Sequence, residues 1–154
     1  MKKIGIADTT FARVNMYKSV VDELASIGTG YTTERYTVPG IKDLAIASQR
    51  LIKNGCDIVI ALGMPGPEPI DKQCADQASR SLLDVEIKHD IHILEVFVHE
   101  DEADNETELA ELAHNRAREH AINAYDLLFR PDRLQRAAGT GQREGHPDAG
   151  PIRR

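Results

Sequence analysis

The chain has 154 residues, 41% of them hydrophobic and 29% charged, with a formal net charge of −6 at neutral pH. That length fits one domain able to bury a core of its own, and an acidic chain without a basic stripe argues against a nucleic-acid partner. No apolar run reaches the ~20 residues of a membrane span, and Met1-Lys2-Lys3 leads straight into a strand pattern, so a cytoplasmic protein with no membrane contact is expected.

Lys3–Ala7 reads as a short buried strand. Thr10 is placed to cap a helix with the stripe Val14, Tyr17, Val21, Leu24 and Ala25, ended by Gly28-Thr-Gly30. Tyr31–Val38 alternates, as an edge strand with one wet side does. A helix carrying Ile41, Leu44, Ala45, Ser48, Leu51 and Ile52 follows and stops at Asn54-Gly55. Asp57–Leu62 is nearly all apolar, the signature of a central parallel strand covered on both faces. Pro65, Pro67 and Pro69 are expected to delay the next helix to about Asp71, after which Cys74, Ala78, Leu82 and Val85 turn inward. Ile91–Val98 is the fourth strand. Asp104 or Asn105 then caps a long helix through Leu109, Leu112, Ala113, Ala117, Ala121, Ala124 and Leu128, halted before Pro131.

This order, βαβαβαβα, predicts an α/β fold with right-handed crossovers: a three-layer, flavodoxin-like sandwich around a four-stranded parallel sheet of order 2-1-3-4. Residues 1–130 form the domain. Residues 131–154, rich in Gly, Pro and Arg, make an irregular carboxyl-terminal tail, either frayed or lying as an arm on a neighbouring subunit. The alanine run on the last helix suggests close packing against a partner and hence a symmetric oligomer. Cys56 and Cys74 follow no metal spacing and are expected to be reduced, half-buried packing residues.

The chemistry concentrates in four turns that follow strands: Asp8-Thr-Thr-Phe-Ala-Arg13, Thr37-Val-Pro-Gly-Ile-Lys-Asp43, Leu62-Gly-Met-Pro-Gly66 and Val98-His-Glu-Asp101. In an open α/β sheet such turns share one pole and build a small-molecule site there. Two readings stand for Phe11: a ring on which a planar heterocycle stacks, or a staple that pins the first helix. His99 belongs to the residue type that moves protons near neutral pH. Glu102, Asp104, Glu106 and Glu108 either hold a hard divalent ion or simply favour the positive end of the helix dipole. Glu95 is an acid inside an apolar strand and needs a partner or a raised pKa. A phospho-receiver reading, suggested by Asp8 and Lys72, fails because Asp57 opens its strand and a fifth strand is missing.

With these motifs assembled, together with Glu95-Val-Phe-Val-His-Glu-Asp-Glu-Ala103 and Asp148-Ala-Gly-Pro151, the chain resembles the archaeal type of riboflavin synthase, itself similar to lumazine synthase. The resemblance runs the length of the chain. It implies dismutation of two 6,7-dimethyl-8-ribityllumazine molecules, one donating a four-carbon unit to the other, giving riboflavin and 5-amino-6-(D-ribitylamino)uracil. It also implies a pentamer with sites between neighbouring subunits, no organic cofactor, and magnesium as the ion to which such an enzyme could respond. By this resemblance Thr10, Phe11, Ala12 and Arg13 receive the heterocycle, with Phe11 as the stacking ring. Pro39, Gly40, Ile41, Lys42 and Asp43 hold the ribityl chain, and Asp43 stands where lumazine synthase has Glu. Gly63, Met64, Pro65 and Gly66 face the pyrimidine end. Lys72 falls where lumazine synthase keeps its proton-transferring His, and Glu95 where that enzyme offers an aromatic from the neighbouring subunit.

The expected catalytic groups are therefore His99 and Lys72 as base candidates and Glu95 beside them, with Glu100 and Asp101 adjusting them and contacting substrate; no residue is assigned to a metal. Two alternatives remain open on sequence alone. One is 6,7-dimethyl-8-ribityllumazine synthase, although its Arg-, Gly-, Thr- and His-rich loop does not follow Leu62-Gly63. The other is a non-catalytic lumazine- or flavin-binding protein of the same fold.

Overall fold

The computed structural model describes residues 1–153. Its elements are β1 (Lys2–Thr9), α1 (Met16–Ile27), β2 (Tyr31–Val38), α2 (Leu44–Lys53), β3 (Ile58–Gly63), α3 (Pro69–His89), β4 (Ile93–Phe97), α4 (Glu106–Phe129) and α5 (Pro131–Ala137). The strands form one parallel sheet in the order β2-β1-β3-β4, as expected. Alternate side chains divide between two cores. Ile4, Ile6, Ile58, Ile60, Leu62, Leu94 and Val96 pack beneath α1 and α4, whereas Ala7, Val59, Ala61 and Ile93 pack beneath α2 and α3. All six residues of β3 are buried, which is why that strand reads as a continuous apolar run.

The helix starts differ from expectation at two places. Thr10 does not cap α1; its hydroxyl donates to the Pro39 carbonyl at 3.3 Å, and Asn15 caps the helix by accepting from the Lys18 N–H. The buried stripe of α1 is accordingly Met16, Ser19, Val20 and Leu24, with Tyr17 and Val21 at its border and Ala25 exposed. The prolines do not delay α3 to Asp71, because Pro69 occupies the first helical position, where no N–H is needed. Ala75 rather than Cys74 is the buried residue of its first turns. Cys56 is fully buried, and burial pushes its thiol up to about 11, so it stays protonated at neutral pH.

The alanines of α4 serve the protomer itself. Ala113, Ala117, Ala121 and Ala124 are 0% exposed against the sheet and α1. That stripe cannot dock a partner, which corrects the reason given above for an oligomer. Nor is the tail irregular from Pro131, since residues 131–137 add the short helix α5 before the chain loosens.

Gly28 shows how tightly the α1–β2 turn is closed. A Cβ there would stand 2.1 Å from the Tyr125 hydroxyl and 2.6 Å from its ring, while Tyr125 packs against Tyr31 and Phe129. Gly28→Ala is expected to lower unfolding free energy by about 1–3 kcal/mol through overpacking. Urea denaturation followed by circular dichroism measures this; an unchanged midpoint would mean that the ring moves aside freely.

Candidate active site

Parallel register brings all four strand ends to one pole. Thr9 lies opposite Val38, and Gly63 opposite Phe97. The turns that follow are tied to one another by hydrogen bonds from Thr10 N to Val38 O, Val98 N to Gly63 O and Glu100 N to Pro65 O. Below them Asp8 is buried and held by Arg35 at 2.7 Å and Thr37 at 2.5 Å, so it joins β1 to β2 instead of facing a ligand.

Two cavities open at this pole, on either side of the first turns of α3. The smaller, about 250 Å³, is lined by Phe11, Gly40, Ile41, Lys42, Asp43, Pro65, Gly66, Asp71 and Cys74. Phe11 is 56% exposed and belongs to neither core, which removes the staple reading. Asp43 shapes this wall by accepting from the Gly40 N–H at 3.3 Å, and a half-turn of 3-10 helix at Ile41–Asp43 presents Lys42 to solvent. A Cβ at Gly66 would displace the Asp71 carboxylate that caps α3 by accepting from the Glu68 N–H. This cavity is more apolar than polar, as a flat heterocycle requires.

The larger cavity, about 580 Å³, lies along the free edge of β4. Lys72 and Ser79 of α3, Glu95 and Phe97 of β4, His99, Glu102, Arg116 and His120 of α4, and Glu144 and His146 of the tail line it. Lys72 Nζ is 2.6 Å from Asp101, and that contact holds the Asp101 carboxyl below its ordinary range. His99 Nδ1 lies 3.6 Å from Glu102 Oε2. Burial pushes the Glu102 carboxyl upward, yet the Arg116 guanidinium and the His99 N–H outweigh it and keep the group ionised below the usual range. Glu95 goes the other way. Burial raises its pKa, the Ser79 hydroxyl pulls it back only partly, and Oε1 has no partner among the described residues.

Most residues expected at the site do gather at this pole, with exceptions of orientation. The Met64 side chain is 1% exposed within the α1–α4 core, so only its backbone reaches the loop. Arg13 turns across to Glu100 at 3.2 Å and Glu106 at 2.5 Å, closing the first loop onto the fourth. Phe11 and His99 occupy different cavities of one protomer. The acids after β4 are committed to cations or caps: Glu102 to Arg116, Glu106 to Arg13, and Glu108 to the Asp104 N–H. No convergent set of three His, Cys, Asp or Glu side chains exists among the described residues. With Glu102, Glu106 and Glu108 already engaged and no three such side chains converging, these residues do not fit a protein-held magnesium.

Sequence reading passed over Arg116 and the tail residues Glu144 to His146. Arg116 was findable: it sits three residues after Ala113 and four before His120 on the inward stripe of α4, where a charge has to be paired. The tail carried no periodic signal.

The family model described as 6,7-dimethyl-8-ribityllumazine synthase matches residues 1–131. The chain is also similar over nearly its full length to three archaeal proteins, each named riboflavin synthase. It is 57% identical to the one from Methanothermobacter thermautotrophicus, over 99% of this chain and 100% of the relative. It is 53% identical to that of Archaeoglobus fulgidus, over 97% and 98%, and 46% identical to that of Aeropyrum pernix, over 99% of both. With the family model spanning residues 1–131 and relatives 46–57% identical over nearly the whole chain, the chain belongs to the 6,7-dimethyl-8-ribityllumazine synthase family.

Proposed function

We infer that this chain is a riboflavin synthase, dismutating two 6,7-dimethyl-8-ribityllumazine molecules into riboflavin and 5-amino-6-(D-ribitylamino)uracil. The observation that carries the reading over its neighbours is the charge state of the site. Of the cations at the two cavities, Arg116 is forked to Glu102 and Lys72 is paired with Asp101; Lys42 alone has no ion-pair partner among the described residues. A lumazine synthase has to bind the phosphate of a four-carbon phosphate ester. A dismutase takes two uncharged rings and has no use for a strong anion site.

Holding two rings together turns a bimolecular step into an intramolecular one, an advantage of up to ~7–11 kcal/mol. In this reading one ring stacks on Phe11 with its ribityl chain along Gly40–Asp43, and the other enters beside His99 and Glu95. Because these two surfaces flank α3 on opposite sides, a shared crevice forms when the Phe11 flank of one protomer meets the His99 flank of the next. We therefore take the site as intersubunit and the assembly as the pentamer of the resemblance. Ile70, Leu83 and Ile87, 62%, 54% and 81% exposed on α3, are apolar surface that such a neighbour covers. The exposed end of the tail is the segment free to lie as an arm across it. Cytoplasmic residence agrees with two free thiols and with the lack, among the described residues, of any helix long and apolar enough to span a membrane.

The chemistry begins with removal of a proton from the C7 methyl of one lumazine. His99 is our choice of base, since Lys72 is engaged as an ammonium by Asp101 and is suited to donate. Glu95, with an oxygen left unpartnered, is the acid that meets a ring N–H or carries a proton between the two rings.

Incubating the protein with dimethylribityllumazine should yield riboflavin at half the molar amount of lumazine consumed. Binding without product would make it a carrier, and lumazine formation from ribitylaminouracil and the butanone phosphate would make it the synthase. His99→Ala should lower kcat by about 10²–10⁴-fold. Full turnover in both His99→Ala and Lys72→Ala would leave positioning alone as the source of rate. For Glu95 the sign follows from its raised pKa. The folded state holds this proton more tightly than the unfolded chain, whose Glu titrates near ~4.3, so stability is lost as pH rises from that value through the folded pKa. Glu95→Gln should thus melt higher than wild type at neutral pH, with the difference vanishing once Glu95 is protonated in both states. A difference of equal size in acid would contradict a buried, desolvated carboxyl.

A further inference from the structure

Arg116 is 5% exposed, and its fork of donors is almost fully used. Nη1 donates to Glu102 Oε2 at 2.9 Å and to the Phe97 carbonyl at 3.1 Å; Nη2 donates to Glu102 Oε1 at 2.9 Å and lies 3.5 Å from His146 Nδ1. Nε donates to the carbonyl of Gly145 at 2.9 Å. Glu102 in turn sets the turn that carries His99, accepting from the His99 N–H at 2.7 Å and standing 3.6 Å from its Nδ1.

The tail end of this chain of contacts is equally constrained. Gly145 is buried at φ +73°, and a Cβ there would stand 2.5 Å from His120 Nε2 and 3.0 Å from Arg116 Cγ. Its neighbours fold the tail into a closed loop, with Ala149 N–H donating to Gly141 O at 2.8 Å and Arg143 N–H to Asp148 at 3.0 Å. Glu144 Oε1 reaches within 3.4 Å of the buried His120. A side chain at residue 145 would drive this loop off α4 without touching the Phe11 cavity.

We propose that Arg116 is a positioning residue for His99, and that the tail loop 141–149 is the clamp that fixes it, through Gly145 on Arg116, Arg116 on Glu102, and Glu102 on the His99 turn. A buried Arg–Glu pair adds little stability over an apolar pair of similar volume. What the fork supplies is direction, since two parallel N–H···O bonds fix the carboxylate's plane as well as its place. The proposal rests on the reading of His99 as the base, and its test separates the two.

The test compares wild type, Arg116→Lys, Gly145→Ala and the double variant, measuring kcat and KM on dimethylribityllumazine, trypsin cleavage after Arg143, and thermal midpoint. Gly145→Ala should speed cleavage after Arg143 and lower kcat roughly tenfold to a hundredfold, a larger change than any in KM, because the Phe11 cavity is untouched while Glu144 and His146 only border the second ring's cavity. Arg116→Lys, which cannot reproduce the fork, should lose kcat to a similar degree, and the double variant should lose no more than Arg116→Lys alone. Cleavage unchanged in Gly145→Ala overturns the clamp. Faster cleavage with kcat intact, or losses that multiply in the double variant, overturns the coupling to His99. Should Arg116→Lys fail to fold, Gly145→Ala alone decides by the same two readouts. If wild type itself forms no riboflavin, the dismutase reading fails and the coupling to His99 falls with it, while proteolysis still decides whether Gly145 pins the tail.

Discussion

Everything at the functional pole depends on a constraint of topology: in a parallel sheet covered on both faces, each strand delivers its following loop to the same edge. The polar backbone of four such loops then has to be satisfied within one small area, and here the loops satisfy one another. Thr10 bonds to Val38, Val98 to Gly63 and Glu100 to Pro65, while Arg13 crosses from the first loop to Glu100 and Glu106. A ligand therefore meets walls whose donors and acceptors are already engaged, a pre-organised surface instead of a set of free arms.

Charge is arranged by the same logic. Glu100, Asp101 and Glu102 of the turn after β4 each find a cation, and Glu108 answers a backbone N–H, so most of this acidic turn's charge is matched within the protein. In the proposed function, selection among ligands then rests on shape and stacking at Phe11.

Periodicity carried the architecture well, because covered strands and inward helix stripes obey spacing rules that survive folding. The strands, the helix stripes and the end of α4 were legible for that reason, as was a cap at Asp104 or Asn105, of which Asn105 is the one used. Several departures involve residues whose role is fixed by something distant in sequence. Thr10 was drawn away from capping by Pro39, twenty-nine residues later. Local spacing offers Glu102 either a divalent ion or the helix dipole, whereas Arg116 claims it from α4. The alanines of α4 were read as a partner-facing surface, and only the packed structure shows that the sheet and α1 occupy them. Local pattern also could not reveal that Phe11 and His99 fall into separate cavities, since both follow strands that exit at the same pole.

Glu95 and Arg116 together show how buried charge divides in this protein. Both stand at positions the periodicity assigns to apolar residues, and both line the cavity along β4. Arg116 has its donors answered on several sides and cannot take part in proton transfer, so its use is geometric. Glu95 has one oxygen answered by nothing among the described residues and a carboxyl pushed toward its neutral form, so its cost in stability is unrelieved until a donor arrives. A neighbouring subunit or a substrate N–H can supply that donor. The cavity is thus rigid where it is paired and receptive where it is not.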